Sequence, residues 1–197
     1  MLHRCFCLAL LAHLAIGGAT LPRPPAAVKV LDIFYQLQSA EEQKKLGRAA
    51  PHVAFELSEK EINEYSTYTL ANTPRPGVQS ISVKVFPNNY ISTLTMMDFD
   101  AVERFRPGVI PTLLKPVLTG KKTIWIDFRF QAVNGRTTYS IEKAYFQNVR
   151  IPAFVISEMI QVVGARQPEH YDTSKPVPLP FGLQKIWTKD HSVLAEN

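Results

Sequence analysis

The chain has 197 residues, of which 46% are hydrophobic and 20% are charged. This length is typical of one domain, and the apolar fraction excludes a wholly disordered or collagen-like chain. The 22 Lys and Arg residues exceed the 17 Asp and Glu residues, which gives a net charge of +5. The basic residues are scattered rather than arranged in a stripe with stacking aromatics, so the charge does not indicate nucleic-acid binding. It supports a weak attraction to an anionic membrane or an acidic glycan.

The N-terminal residues 1–19 have the pattern of a secretory signal peptide. A basic start is followed by an apolar stretch over 5–16 and by small residues that end at Ala19. We expect cleavage after Ala19, and therefore an exported protein of the periplasm or cell envelope; an uncleaved anchor helix is the alternative. Cys5 and Cys7 both lie in this segment. The mature chain would then contain no disulfide and no thiol ligand.

Residues 20–52 are predicted to form an extended, Pro- and Ala-rich leader over 20–27 and then a helix. Apolar residues follow a helical spacing over 28–37, and the charged continuation to residue 48 fits either one long helix or two short ones. Residues 53–197 are expected to form a single α+β domain.

The clearest helix start in the chain is at Ser58. Ser58 and Glu61 have the spacing of a capping box, and Leu57 and Ile62 have that of a hydrophobic staple. We therefore expect a helix over 59–70. The glutamates of its first turns are interpreted as capping groups and solvent-exposed side chains rather than as catalytic or metal-binding groups.

Most of the remaining chain predicts strands. Ile81, Val83 and Val85 alternate with polar residues, which indicates a half-buried strand, and a return strand follows over 90–99. Residues 109–118 are expected to form a short helix or turns, because two prolines interrupt them. Pro152 should open a helix over 153–163, and a last strand over 183–188 should be followed by a short return over 191–194.

The strongest strand prediction is a hairpin on the dipeptide Asn134-Gly135. These residues favour a two-residue type I′ turn between strands 123–133 and 136–146, with paired residue numbers that sum to 269. In this register the aromatic and aliphatic side chains share one face, which we expect to be covered. Ile124 would pair with Tyr145, and Asp127 would oppose Glu142, a like-charge pair on the face exposed to water.

No motif indicates catalysis, a metal or a nucleotide. The sequence lacks a Gly-x-Ser-x-Gly element, a phosphate-binding loop and a calcium loop, and none of His52, His170 and His191 has a second histidine three or four residues away. Asp98 and Asp100 place two carboxylates on one side of a strand end, as in an acid–base pair, but are interpreted as solvent-facing. The sequence therefore predicts a non-enzyme without a cofactor.

The apolar face of the hairpin is the candidate binding site. It could be an ordinary closed core, or the sheet could curl while helix 153–163 stands off and leaves a groove for a lipid tail. Burying a chain of ~14 carbons would gain on the order of 10 kcal/mol before costs, and would need no polar motif. The residues expected to line this site are Ile126, Phe128, Phe130, Tyr139 and Ile141 on the sheet and Ile156 and Met159 on the helix.

The order of these motifs resembles that of exported bacterial LmeA-like and AsmA-like proteins, which are related to tubular (TULIP-like) lipid-binding proteins. The resemblance spans roughly 53–194 and rests on four features: the stretch 55–63, the hairpin across Asn134-Gly135, Val149-Arg150-Ile151-Pro152 before a helix, and 178–183 before the final strand. It implies a TULIP-like α+β fold, a long curled antiparallel sheet with flanking amphipathic helices. It also implies affinity for lipid or a lipid-linked glycan. A structural or interaction domain of the envelope with a closed core is the alternative.

Overall fold

The computed structural model describes residues 22–108, 110, 112, 115–152, 154–156 and 175–197. The predicted signal peptide lies outside the described residues, as do Met159, His170 and most of the predicted helix over 153–163. The described residues form an α+β fold, in which a large antiparallel sheet and a small one pack with helices. None of the helices in this part of the chain has the length and hydropathy needed to span a bilayer.

One continuous helix, α1 (Pro25–Lys45), opens the described chain. The expected extended leader is wrong from Pro25 onward. Proline is well suited to the first helical position, where its missing N–H is not needed, and the alanines that follow it are buried. The buried residues of α1 recur every three or four positions and so form one stripe, which contains Ala26, Ala27, Val30, Ile33, Leu37 and Ala40.

The second helix, α2 (Glu59–Asn72), confirms the predicted capping box and is two residues longer than expected. The Glu61 N–H donates to Ser58 Oγ at 3.2 Å, and the Ser58 N–H donates to Glu61 Oε2 at 2.8 Å. Leu57 and Ile62, on either side of the cap, both pack in the hydrophobic core.

Two antiparallel sheets are present in the described residues. The small sheet has the order β1-β9-β8 and consists of β1 (Ala54–Ser58), β8 (Lys185–Lys189) and β9 (Ser192–Glu196). The large sheet has the order β2-β3-β4-β5-β6, and its strands are β2 (Val78–Phe86), β3 (Tyr90–Asp98), β4 (Lys121–Val133), β5 (Arg136–Phe146) and β6 (Val149–Ile151). A two-residue strand, β7 (Val177–Pro178), also pairs with β5, and a short helix, α3 (Phe99–Phe105), follows β3.

The β4–β5 hairpin has the predicted turn, since both Asn134 and Gly135 have positive φ, at 50° and 72°. The predicted register holds from this turn as far as the pair Phe128 and Ile141. A bulge then adds one residue to β5. Beyond the bulge, the numbers of paired residues sum to 270 instead of the predicted 269. Ile124 therefore pairs with Phe146, not Tyr145, and Asp127 pairs with Lys143, not Glu142. The predicted like-charge pair is thus wrong.

Helix α2 covers the free edge of β2. The Asn63 side chain donates to the carbonyl of Val83 at 2.8 Å and accepts from its N–H at 2.7 Å. The Val85 N–H donates to Glu59 Oε2, and its carbonyl accepts from the N–H of His191. The outward backbone groups of Val83 and Val85, which an edge strand leaves unpaired, are therefore satisfied by side chains and by a neighbouring turn.

The two sheets meet at the end of the large sheet that carries the 87–89 and 134–135 turns. Asn89 and Thr188 exchange two hydrogen bonds, from the Asn89 N–H to Thr188 Oγ1 at 2.7 Å and from the Thr188 N–H to Asn89 Oδ1 at 2.9 Å. We call this the near end of the large sheet. The opposite end, where β4 starts and β5 finishes, is called the far end.

Acid is expected to weaken the attachment of α2. Partial burial would raise the pKa of Glu61, but hydrogen bonds from Lys29 and from the N–H and hydroxyl of Ser58 outweigh it and hold the pKa below its ordinary value. A depressed pKa in the folded protein stabilises it above the unfolded pKa of 4.5, and this stabilisation is lost as the pH falls through the folded value.

Thermal unfolding of the wild type between pH 6 and pH 3 measures this loss. Glu61→Gln should flatten the dependence of the melting temperature on pH below about 4.5. Lys29→Met, which removes the 2.7 Å partner of Glu61, should reduce the same slope. An unchanged slope in both variants would contradict the assignment.

Candidate functional site

The candidate site is the inner face of the large sheet, the face toward α1. Side chains that are paired across neighbouring strands lie on the same face, so the register divides this face into rows. From the near end to the far end the rows are Phe130–Tyr139, Val85–Ile91–Phe128–Ile141, Val83–Thr93–Ile126–Ala144 and Ile81–Thr95–Ile124–Phe146. Most members of the four rows are apolar, so the predicted apolar face is present over most of the length of the strands.

The near rows are filled by the protein's own side chains. Phe128 and Phe130 are only 9% and 8% exposed, and both belong to the hydrophobic core. That core also contains buried residues of α1, α2 and the small sheet, among them Leu37, Tyr65 and Ile186. Two of the predicted ligand-lining residues therefore hold the fold together.

The far rows are less buried, although all but two of their residues are apolar. Val83 and Ile126 in the third row, and Ile81, Ile124 and Phe146 in the fourth, are all half-buried, whereas Ala144 is fully buried. We call these two rows the inner trough, defined by Ile81, Val83, Thr93, Thr95, Ile124, Ile126, Ala144 and Phe146. Apart from Ala144, burial thus decreases from the near rows to the far rows of the sheet.

The other predicted site residues divide between these regions. Tyr139 is half-buried and packs against the core, and Ile141 is half-buried next to the trough. Ile156 is buried and lies in a helical segment at 154–156. Met159 lies outside the described residues. The structure therefore places Phe128 and Phe130 in the packed core and Ile141 half-buried beside Phe128. Ile126 lies in the trough, where it is half-buried and still packs against the edge of the core.

The opposite, outer face carries a polar and aromatic cluster that the sequence did not predict. Trp125 donates its indole N–H to Asp127 Oδ1 and Ser92 Oγ, each at 2.7 Å, and its ring lies 5.2 Å from that of Tyr145. Asp127 is only 3% exposed. The bulge in β5 creates this arrangement, because it moves Tyr145 opposite Trp125. A bulge has no signal in the alternation of apolar residues, so sequence periodicity could not reveal the cluster.

Arg129 connects this cluster to Glu142, the extra residue of the bulge in β5. Its Nε donates to Glu142 Oε1 at 2.6 Å, and its guanidinium lies 5.0 Å from the centre of the Tyr90 ring. Burial, a hydrogen bond to Asp127 and the negative charges of Asp127 and Glu142 raise the pKa of Tyr90 to about 12, although Arg129 opposes the shift. Tyr90 therefore remains a neutral hydrogen-bond donor at physiological pH.

Three of the polar residues considered from the sequence have structural partners: Asp98, Asp100 and His191. Asp98 caps α3 by accepting from the Ala101 N–H, and Asp100 accepts from the Gly120 N–H. His191 Nδ1 lies 3.2 Å from Glu59 Oε2. Within the described ranges, no three His, Cys, Asp or Glu side chains are grouped closely enough to hold a metal ion.

Two open grooves lie beside α1. One, of about 350 Å³, is lined by residues that include Tyr35, Ser39 and His52; the other, of about 320 Å³, is lined by residues that include Lys44 and Phe181. Neither contains a residue of the inner trough.

Comparison of the chain with protein-family models, with curated proteins and with solved structures finds no match.

Proposed function

We propose that this chain is an exported protein of the cell envelope that binds or transfers a lipid, or a lipid-linked glycan, along the inner trough. The observation that carries the proposal is the decrease in burial along an apolar sheet face. Rows of isoleucine, valine and phenylalanine continue to the far end, where they are only half-buried. Apolar surface that remains accessible beside a packed core is a common feature of ligand sites.

The dimensions of the trough suit an aliphatic chain. Four adjacent strands contribute to it, and a spacing of about 4.8 Å between strands gives a width of roughly 14 Å. Each methylene buried against such a surface gains about 0.8 kcal/mol. An aliphatic ligand would need no hydrogen-bond partner from the trough, whose only polar side chains are two threonines.

The resemblance to TULIP-like proteins supports the same proposal. A large antiparallel sheet accompanied by helices is compatible with a tubular lipid-binding fold, and export follows from the predicted signal peptide over 1–19. We extend the proposal to residence in the periplasm or envelope, with no catalytic role.

A structural or interaction domain with a closed core is the second candidate. The packing of Phe128 and Phe130 against residues of α1 and the small sheet favours it for the near half of the inner face. The two candidate functions make different predictions for the far half of the inner face. Lipid binding requires space for a ligand there, whereas a structural domain requires a sealed interior.

Native mass spectrometry of the purified protein tests the proposal. The wild type should carry co-purifying lipid, and the double variant Ile124→Asn/Ile126→Asn should carry at least several-fold less, because two polar amides would line the trough. Val133→Asn is the matched control, since Val133 lies on the same strand but is exposed at the hairpin turn. Its lipid content should equal that of the wild type.

The closed-core alternative expects a different pattern. The wild type would carry no lipid, and its melting temperature would not rise when lipid is added. Ile124→Asn/Ile126→Asn would then only destabilise the fold. These two results together would overturn the proposal.

A further inference from the structure

The far end of the large sheet exposes an unusual number of large apolar side chains. Phe105 is 72% exposed and Val149 is 67% exposed, and Val117 is also exposed. On the outer face next to this end, Leu94, Met96 and Trp125 are exposed as well. Exposed apolar groups that lie together, rather than singly, indicate an interaction surface.

The topology places these residues at the same end of the sheet. Asp98, the last residue of β3, pairs with Lys121, the first residue of β4, and β5 ends beside them. Helix α3, which carries Phe105, starts directly after β3, and the Phe99 N–H donates to the carbonyl of Gly120. The Gln147 N–H donates to the carbonyl of Thr123, which brings the 147–149 turn to the same end.

Basic residues alternate with the apolar ones. Arg104 and Arg106 flank Phe105, Lys121 and Lys122 begin β4, and Arg150 follows Val149. None of these five cations forms an ion pair with another described residue. We call the three apolar residues Phe105, Val117 and Val149, together with these five cations, the basic tip.

The acidic residues of the same region already have ion-pair or hydrogen-bond partners within the protein. Glu103 pairs with Lys115 at 2.8 Å and accepts from the Gly108 N–H. Asp98 and Asp100 accept backbone N–H groups at the start of α3 and at Gly120. The tip therefore presents positive charge and apolar side chains, which complement an anionic, partly apolar partner.

We infer that the basic tip docks the protein onto an anionic lipid bilayer. Phenylalanine and valine side chains would enter the interface between headgroups and acyl chains, while the arginines and lysines contact the phosphates. Trp125, 43% exposed on the outer face near the tip, would lie at headgroup depth, where tryptophan is favoured. All residues of the basic tip are exposed except Lys122, which is half-buried. The inference does not require the inner trough to hold a ligand.

Tryptophan emission and vesicle sedimentation test the inference. The chain has two tryptophans, and Trp187 lies in β8 at the near end, so Trp187→Phe leaves Trp125 as the sole reporter. Phosphatidylcholine vesicles that contain phosphatidylglycerol should sediment this protein and shift its emission to the blue. Pure phosphatidylcholine vesicles should do neither, and roughly 0.5 M NaCl should release the bound protein.

Neutral substitutions identify the docking residues. A cation near an anionic surface contributes roughly fivefold to binding, so Lys121→Gln/Lys122→Gln should reduce vesicle partitioning by roughly 25-fold. Arg48→Gln/Lys189→Gln removes the same charge from exposed positions outside the tip and should bind like the wild type. Phe105→Ser should also weaken binding, whereas Leu46→Ser, at a similarly exposed position on the loop after α1, should not.

Two results would overturn the inference: equal partitioning of the tip and control variants, or equal binding to neutral and anionic vesicles. The trough variant Ile124→Asn/Ile126→Asn should still dock. A protein that docks without carrying lipid would therefore contradict the proposed function alone, and a protein that carries lipid without docking would contradict this inference alone.

Discussion

Alanine in place of Phe128 is expected to lower the free energy of unfolding by about 3–5 kcal/mol. Phe128 is 9% exposed and belongs to the core that α1, α2 and both sheets share. Its removal would leave a cavity among residues that are fixed by several elements at once, so the site cannot easily collapse. Urea denaturation monitored by circular dichroism measures the difference.

Ile126→Ala is the matched comparison, two residues away on the same face of β4. Because Ile126 is half-buried in the inner trough, we expect a loss of about 1–2 kcal/mol, which is mainly the transfer term. Equal losses at the two positions would mean that the far rows are packed as tightly as the near rows, and would favour the closed core. If Phe128→Ala does not fold, Phe128→Leu gives a smaller loss at the same site.

Features fixed by neighbouring residues could be predicted from the sequence. The capping box needs only Ser58 and Glu61, three positions apart, and the type I′ turn needs only Asn134 and Gly135. Both are present in the structure. The start of α1 was misplaced because a proline–alanine segment permits either an extended chain or a first helical turn, and only burial of Ala26 and Ala27 decides between them.

Features that depend on distant residues could not be predicted. Strand β1 pairs with β9, whose residues lie more than 130 positions later in the chain, and nothing in either segment specifies the other. The bulge in β5 is another example. It places Lys143 opposite Asp127 and frees Glu142 to pair with Arg129, which relieves the like-charge contact of the regular register.

The residues of the candidate site could be predicted from the sequence. The division of the inner face into a packed near half and a less buried far half could not. Alternation along β4 identifies the side chains that share the inner face, and Ile126, Phe128 and Phe130 do share it. Which of them is covered depends on where α1 and the small sheet lie, and this is a property of the whole fold. The sequence could therefore indicate an apolar face without showing that its near half is filled.

Removal of the Asn63 side chain is expected to produce the second large effect. In the described chain β2 is an edge strand, and Asn63 satisfies both the N–H and the carbonyl of Val83. In Asn63→Ala both groups would lose their partners where α2 restricts the access of water. At about 1–3 kcal/mol for each of the two unsatisfied groups, we expect a loss of about 2–6 kcal/mol in the free energy of unfolding.

The same variant should be prone to association, because an uncovered strand edge can pair with a second copy of the chain. Light scattering during thermal unfolding would detect this.

Asn63→Asp keeps the acceptor for the Val83 N–H but loses the donor to its carbonyl, so its stability should be intermediate. Thr67→Ala is the control, since the Thr67 hydroxyl bonds only within α2, to the Asn63 carbonyl, and it should change the stability by less than about 0.5 kcal/mol. If Asn63→Ala were as stable as Thr67→Ala, α2 would cover the edge of β2 by apolar packing alone, and the two hydrogen bonds would contribute little.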